Sequence, residues 1–290
     1  MREPDERAVR RRAPGRRRVQ PLLTALAVAA AGYLLLLALV YVFQPRLLFF
    51  PDRRLHATPA DAGLGYEELR LRAADGVRLQ AWWIPAQPPA RAAVVLLHGN
   101  GGNLSYDLHT PRLLHELGYG VLALGYRGYG ASEGRPHEVG LYADADAAWR
   151  HLVEQRGVPP QRVVVLGRSL GGAVAAALAE RRPVGALVLE STFASAPALA
   201  AELYPFLPAR RLSRYRFDTL ARLPRIQAPV LVVHSRDDEI VPFRHGRALY
   251  AAARPPKRFL GIRGSHNDGF VVSAAGYREA LGAFLREHVQ

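Results

Sequence analysis

The sequence predicts an α/β protein. A mostly parallel sheet of eight strands carries helices on both faces and a short helical insertion, and one membrane-spanning helix precedes it. Three observations support this. "AAVVLLHG", "GVLALGYRG", "RVVVLGRS", "GALVLES" and "PVLVVHS" are continuous apolar runs, the pattern of strands buried on both faces. Helical stretches at about 105–117, 138–156 and 170–182 separate several of them, so strand and helix alternate with right-handed crossovers. The run "PLLTALAVAAAGYLLLLALVYVF", residues 21–43, contains no charge.

The elements follow in chain order. Residues 1–20 are polar and rich in arginine, with Pro4 and Pro14, and are expected to be a disordered basic tail. Residues 21–43 match the roughly 30 Å hydrocarbon core at about 1.5 Å per residue and are expected to form a signal-anchor helix. A cleavable signal peptide would have an apolar stretch of about 7–15 residues followed by a small-residue cleavage site. Here the alanines come first and leucines follow, so the run is expected to stay uncleaved. Eight arginines precede the run and only Arg46, Arg53 and Arg54 follow it closely. The positive-inside rule then puts the N-terminus in the cytoplasm and the large domain outside, as a single-pass protein of the cell (inner) membrane.

Residues 44–64 read as a connector, and residues 65–290 as the main domain. Two alternating runs, near 66–72 and 77–84, flank Asp75-Gly76 and predict a hairpin. The buried strands come next, and "KRFLGI" supplies the last. Residues 192–227 mix proline, aromatic residues and arginine without a buried strand. They predict a helical insertion over the C-terminal edge of the sheet, where ligands bind in open α/β sheets and where a lid would sit.

Composition narrows the function classes. The chain has 290 residues and no cysteine, which excludes disulfides, thiolate metal sites and cysteine nucleophiles. Its net charge is +14, yet no nucleic-acid-binding module or aromatic-basic interleaving is present, so no nucleic-acid partner is expected.

Gly167-Arg168-Ser169-Leu170-Gly171 fits G-x-S-x-G between a strand and an alanine-rich helix. In that setting the serine sits in a strained turn with its hydroxyl above the sheet, and the helix aims its first N–H groups at the site. Ser169 is the expected nucleophile. A serine needs a base, and the base needs an orienting acid, in the chain order Ser, Asp or Glu, His. Asp238, in "HSRDDEIVP" after an apolar strand, is the expected acid; Asp237 is the alternative and Glu190 a more distant one. His266, in "RGSHND" after the final strand, is the expected base. The oxyanion is expected to be held by the backbone N–H groups of Leu170 and of Asn100, the latter in the loop "HGNGGN", with His98 bracing that loop. His115, His137, His151, His245 and His288 lack such context and are expected at the surface.

Further motifs are "QPRLLFFP" (44–51), "YRGYGASEGRP" (126–136), "ESTF" (190–193), "DEIVP" (238–242) and "GSHND" (264–268). With these, the chain resembles the α/β-hydrolases, and more narrowly the membrane-anchored serine hydrolases related to the yeast bud-emergence suppressor. The resemblance covers nearly all of residues 20–290. It implies the α/β-hydrolase fold and a Ser-His-Asp hydrolase needing no metal or organic cofactor. Such an enzyme would cleave carboxylic ester or thioester bonds of small-molecule or lipid acyl substrates through an acyl-enzyme. The alternatives are a serine peptidase or amidase on the same fold, and a catalytically silent, membrane-anchored binding module.

Overall fold

The computed structural model describes residues 16–87 and 92–289. The tail expected over residues 1–20 lies mostly outside the described residues. Two compact units result, one ending at Phe43 and one spanning Gln44–Gln290. The first is helical. Helix α1 runs over Arg16–Leu48, and its Gln20–Leu48 stretch, which holds an 18-residue window of mean hydropathy 2.5, is long and apolar enough to cross a membrane.

The second unit takes in the end of α1 from Gln44 and then strand β1 (Phe50–Pro51). The predicted hairpin follows as β2 (Glu67–Arg72) and β3 (Arg78–Ile84), paired antiparallel from Glu67↔Trp83 to Arg72↔Arg78. Gly76, at φ +87°, takes the left-handed position that the Asp75-Gly76 turn requires. Strands β4 (Ala93–Leu97), β5 (Gly101–Gly102), β6 (Gly120–Leu124), β7 (Val163–Arg168), β8 (Ala186–Glu190), β9 (Val230–Ser235) and β10 (Lys257–Ile262) complete the set. Eight of them form one sheet in the order β10-β9-β8-β7-β4-β6-β3-β2, parallel except at the β3–β6 and β2–β3 pairs. β1 and β5 form a separate parallel pair.

Alternate residues along each buried strand feed opposite cores. Val95 and Leu97 of β4 join the core on one face, whereas Val94 and Leu96 join the core on the other. The first core is covered by α3 (Glu138–Arg150), α4 (Leu170–Arg181) and α8 (Arg244–Ala252), through Leu141, Val174, Leu178 and Leu249. The second is covered by α2 (His109–Glu116) and α10 (Ala274–His288), through Leu114, Tyr277, Leu281 and Phe284. Each fully buried leucine contributes roughly 1.5–3 kcal/mol, so these two layers fix where the strand ends lie. Helix α4 has Gly171, Gly172 and five alanines before Glu180, small residues that let it approach the sheet closely. Helix α3 ends in a π turn, His151–Gln155, which the sequence pattern reads as ordinary helix.

The insertion between β8 and β9 contains α5 (Ala196–Leu203), α6 (Ala209–Leu212) and α7 (Thr219–Arg222). Helix α9 (Gly269–Val272) follows β10. Two histidines expected at the surface are buried. His151 is tied by Gln155 and Arg156 in the π turn. His245 accepts from the Ala194 N–H at 3.1 Å and faces Glu202 at 3.1 Å, pinning the base of the insertion to α8.

Candidate active site

The sheet order puts β4 between β6 and β7, and the chain leaves β4 toward β6 before returning to β7 on its other side. Such a switch point opens a crevice at the strand C-termini. Ser169 stands there, directly after β7 and before α4. Its backbone, at φ 53° and ψ −118°, lies where residues with side chains rarely sit, a strain of about 1–3 kcal/mol. The turn is held by the Ser169 N–H, which donates to Glu190 O at 2.8 Å, and by the Gly172 N–H, which donates to Ser169 O at 3.0 Å. The flanking glycines are required by contact. A Cβ at Gly167 would lie 2.2 Å from Gly171 O, and one at Gly171 would lie 2.1 Å from Leu97 O.

Ser169, His266 and Asp238 come together although 97 and 28 positions separate the successive partners in sequence. His266 Nε2 is 3.1 Å from Ser169 Oγ, and His266 Nδ1 is 2.8 Å from Asp238 Oδ2. A carboxylate can only accept, so Nδ1 carries the proton and Nε2 presents its lone pair to the serine hydroxyl. The His266 N–H donates to Glu239 Oε2 at 3.0 Å, which fixes the ring's backbone as well. Asp238 Oδ1 accepts from the N–H groups of Ile240 (3.0 Å) and Val241 (2.7 Å). Burial disfavours its charge, but His266 and these amide contacts outweigh that and hold the carboxyl below the usual range. The two other acids considered lie elsewhere. Asp237 pairs with Arg263 at 3.0 Å and accepts from the Gly264 N–H. Glu190 accepts from Arg168 at 2.5 Å and from the Tyr277 hydroxyl at 2.6 Å.

The loop after β4 lies beside the serine: a Cβ on Gly99 would be 3.7 Å from Ser169 Cβ. The Tyr129 hydroxyl donates to Asn100 O at 2.8 Å, and the Tyr126 hydroxyl to His98 O at 3.1 Å. His98 Nδ1 donates to Gly99 O at 2.7 Å, the bracing role expected for it. Burial pulls its pKa down to about 4, against the help of that carbonyl, so the ring is neutral at pH 7. Leu170 is the first residue of α4, where N–H groups lack intrahelical acceptors.

Two contributors were not singled out from sequence. His234 is buried; its Nε2 donates to Val241 O at 2.8 Å and is 3.4 Å from Asp238 Oδ2, so it backs the acid loop. Arg168 lies under the nucleophile turn. It binds Glu190, Asp107 (2.7 Å) and Thr110 (2.8 Å), and its guanidinium lies 3.6 Å from the Phe270 ring centroid. Burial opposes its charge, but the carboxylates of Glu190 and Asp107 raise its pKa further. A charged residue in the x position of G-x-S was the available signal. Among the described residues, no group of three or more His, Asp or Glu side chains is arranged to hold a metal ion.

Comparison with known proteins gives the family of the chain. Residues 92–221 match the family model for the alpha/beta hydrolase fold. The alpha/beta hydrolase domain-containing protein WAV2 of Arabidopsis thaliana is 39% identical over 277 residues, covering 87% of this chain and 90% of that protein. The structure of a Pyrococcus furiosus esterase superposes with a TM-score of 0.70 at 22% identity, covering 82% of this chain and 99% of that one. The esterase domain of a Rhodothermus marinus protein does so with a TM-score of 0.62 at 26% identity, covering 78% of this chain and 100% of that one. On its fold and its relatives, the chain belongs to the alpha/beta hydrolase family.

Proposed function

We propose that the protein is a membrane-anchored serine hydrolase that cleaves carboxylic ester or thioester bonds through an acyl-enzyme. The observation that carries this reading is the continuous Ser169–His266–Asp238 hydrogen-bond chain, with His266 in the tautomer that can accept the serine proton. His266 Nε2 takes the Ser169 proton as Oγ bonds to the substrate carbonyl carbon. The carbonyl π electrons move to oxygen, and the N–H groups of Asn100 and Leu170 receive the oxyanion. Collapse of the intermediate breaks the bond to the leaving group, which takes the proton from His266. Water then repeats the sequence: His266 accepts its proton, hydroxide adds to the acyl carbon, and Ser169 leaves reprotonated. Asp238 keeps Nδ1 protonated and stabilises the imidazolium of both steps.

Ester chemistry is favoured by the likeness to the Rhodothermus marinus esterase domain. Substrate character is suggested by the insertion, where Leu203, Tyr204 and Phe206 are exposed beside Arg210 and Arg211. That mixture suits acyl groups with an anionic neighbour. Helix α1 supports anchoring in the membrane through residues 21–43, and the arginines that precede it favour a cytoplasmic N-terminus with residues 65–290 as the catalytic domain outside.

The test is turnover of p-nitrophenyl esters of increasing acyl length by the wild type and three variants. Ser169→Ala, His266→Gln and Asp238→Asn should each lower kcat by about 10⁴-fold or more, with folded far-UV spectra. Near-normal turnover by Ser169→Ala removes it from the role of nucleophile.

A further inference from the structure

The segment that follows α1 is built into the candidate active site. Phe50↔Gly101 and Pro51↔Gly102 are paired in the β1–β5 ladder, so residues just past the apolar helix meet the loop that contains Asn100. The Asp52 N–H extends the ladder by donating to Gly102 O at 3.0 Å. Asn103 closes it. This buried side chain donates from Nδ2 to Asp52 O (3.1 Å) and Arg54 O (2.6 Å), and accepts at Oδ1 from the Ser105 N–H (2.9 Å) and hydroxyl (2.6 Å). The Gly130 N–H also donates to Asp52 O, at 2.8 Å, next to Tyr129, whose hydroxyl binds Asn100 O. The Asp52 carboxylate accepts from the Arg54 N–H (2.8 Å), from His56 (2.8 Å) and from the Tyr106 hydroxyl (2.9 Å).

The physical need is clear. A loop containing Gly99, Gly101 and Gly102 can approach a substrate closely, but it is free to take many backbone conformations, and glycine loses the most entropy when ordered. An oxyanion donor works only if its N–H is already placed, within a few tenths of an ångström, where charge will develop. A two-residue ladder is too short to hold itself. Asn103 fastens its C-terminal end to the Asp52 and Arg54 carbonyls of the connector, and the Asp52 carboxylate braces that same end through His56 and Tyr106.

We infer that residues 50–54 and Asn103 position the Asn100 N–H, so that the stretch following the anchor is an integral part of the catalytic site. Asn103 is the positioning residue, and Asp52 with Tyr106 is its outer brace. This rests on the reading of Ser169 as nucleophile and of the Asn100 amide as an oxyanion donor. It also moves the functional boundary of the domain from residue 65 back to about residue 50.

The experiment measures fluorophosphonate labelling rate, ester kcat and KM, and thermal midpoint on the full chain in detergent. Asn103→Asp keeps the size of the side chain and replaces the donor with an acceptor facing two carbonyl oxygens. It should lower kcat and the labelling rate by about ten- to a hundred-fold, with KM within about two-fold. Trp149→Phe is the control, because it removes the bond from Trp149 Nε1 to Pro183 O (3.1 Å), which the site does not use. At a comparable loss of thermal midpoint it should leave both rates unchanged. Tyr106→Phe removes only an exposed contact to Asp52, so it folds even if Asn103→Asp does not, and it should slow labelling by a few-fold at an unchanged thermal midpoint. Rates within two-fold of wild type in Asn103→Asp overturn the inference. So does an equal loss in Trp149→Phe, or, should Asn103→Asp fail to fold, an unchanged labelling rate in Tyr106→Phe. A folded wild type that is not labelled at all overturns the nucleophile reading and this inference together; a labelled wild type with unaffected variants overturns this inference alone.

Discussion

Ionisation separates the residues of the site. Asp238 must stay charged and His98 neutral, and their surroundings push them in those directions. His98 has a consequence for stability. Its folded pKa is about 4, against 6.5 for a free histidine, because burial opposes the charged ring. The unfolded chain therefore binds a proton first, and stability falls as pH drops from about 6.5 toward 4. Burial shifts His234 and His151 the same way, with the same sign. Urea unfolding at pH 7.5, 6 and 5 should show a falling midpoint, and His98→Asn should make that fall shallower. An equal slope in the variant would take His98 out of the account. The residues of the hydrogen-bonded chain were readable in the sequence because each follows a strand of the sheet in a fixed order. Arg168 and His234 were not readable in their roles, since their meaning lies in partners such as Asp107, Phe270 and Val241 that only tertiary packing brings near.

Among the elements, the buried strands were legible from their apolar runs, and the β2–β3 hairpin from its Asp-Gly turn. The β1–β5 ladder was not, because neither "FP" nor "GG" has strand character of its own and each depends on a partner about 50 positions away. The π turn after α3 escaped for a related reason: His151–Gln155 keeps a helical pattern while one backbone step widens. The strand–turn–helix at Ser169 yields a sharper prediction. Gly171→Ala would force a Cβ to within 2.1 Å of Leu97 O, a backbone atom of the adjacent strand that cannot move aside. The variant should lose about 3 kcal/mol or more of stability, along with activity. Thermal unfolding checks this, and a loss below about 1 kcal/mol would show that the helix can back away from the sheet.

For the whole molecule, the division at Phe43 and Gln44 sets apart an apolar helix from a unit with its own two-layered core. A chain starting at Gln44 should therefore fold and hydrolyse a short soluble ester with kcat within about two-fold of the full chain, while only the full chain floats with phospholipid vesicles in a density gradient. Flotation of both would place the membrane contact in the domain itself. Whether Ser169 is the nucleophile of a hydrolase is decided by fluorophosphonate labelling followed by peptide mass spectrometry. One adduct per chain is expected, on the peptide containing Ser169, and none in Ser169→Ala. An adduct on another serine, or a folded wild-type chain that takes up no label, would contradict it.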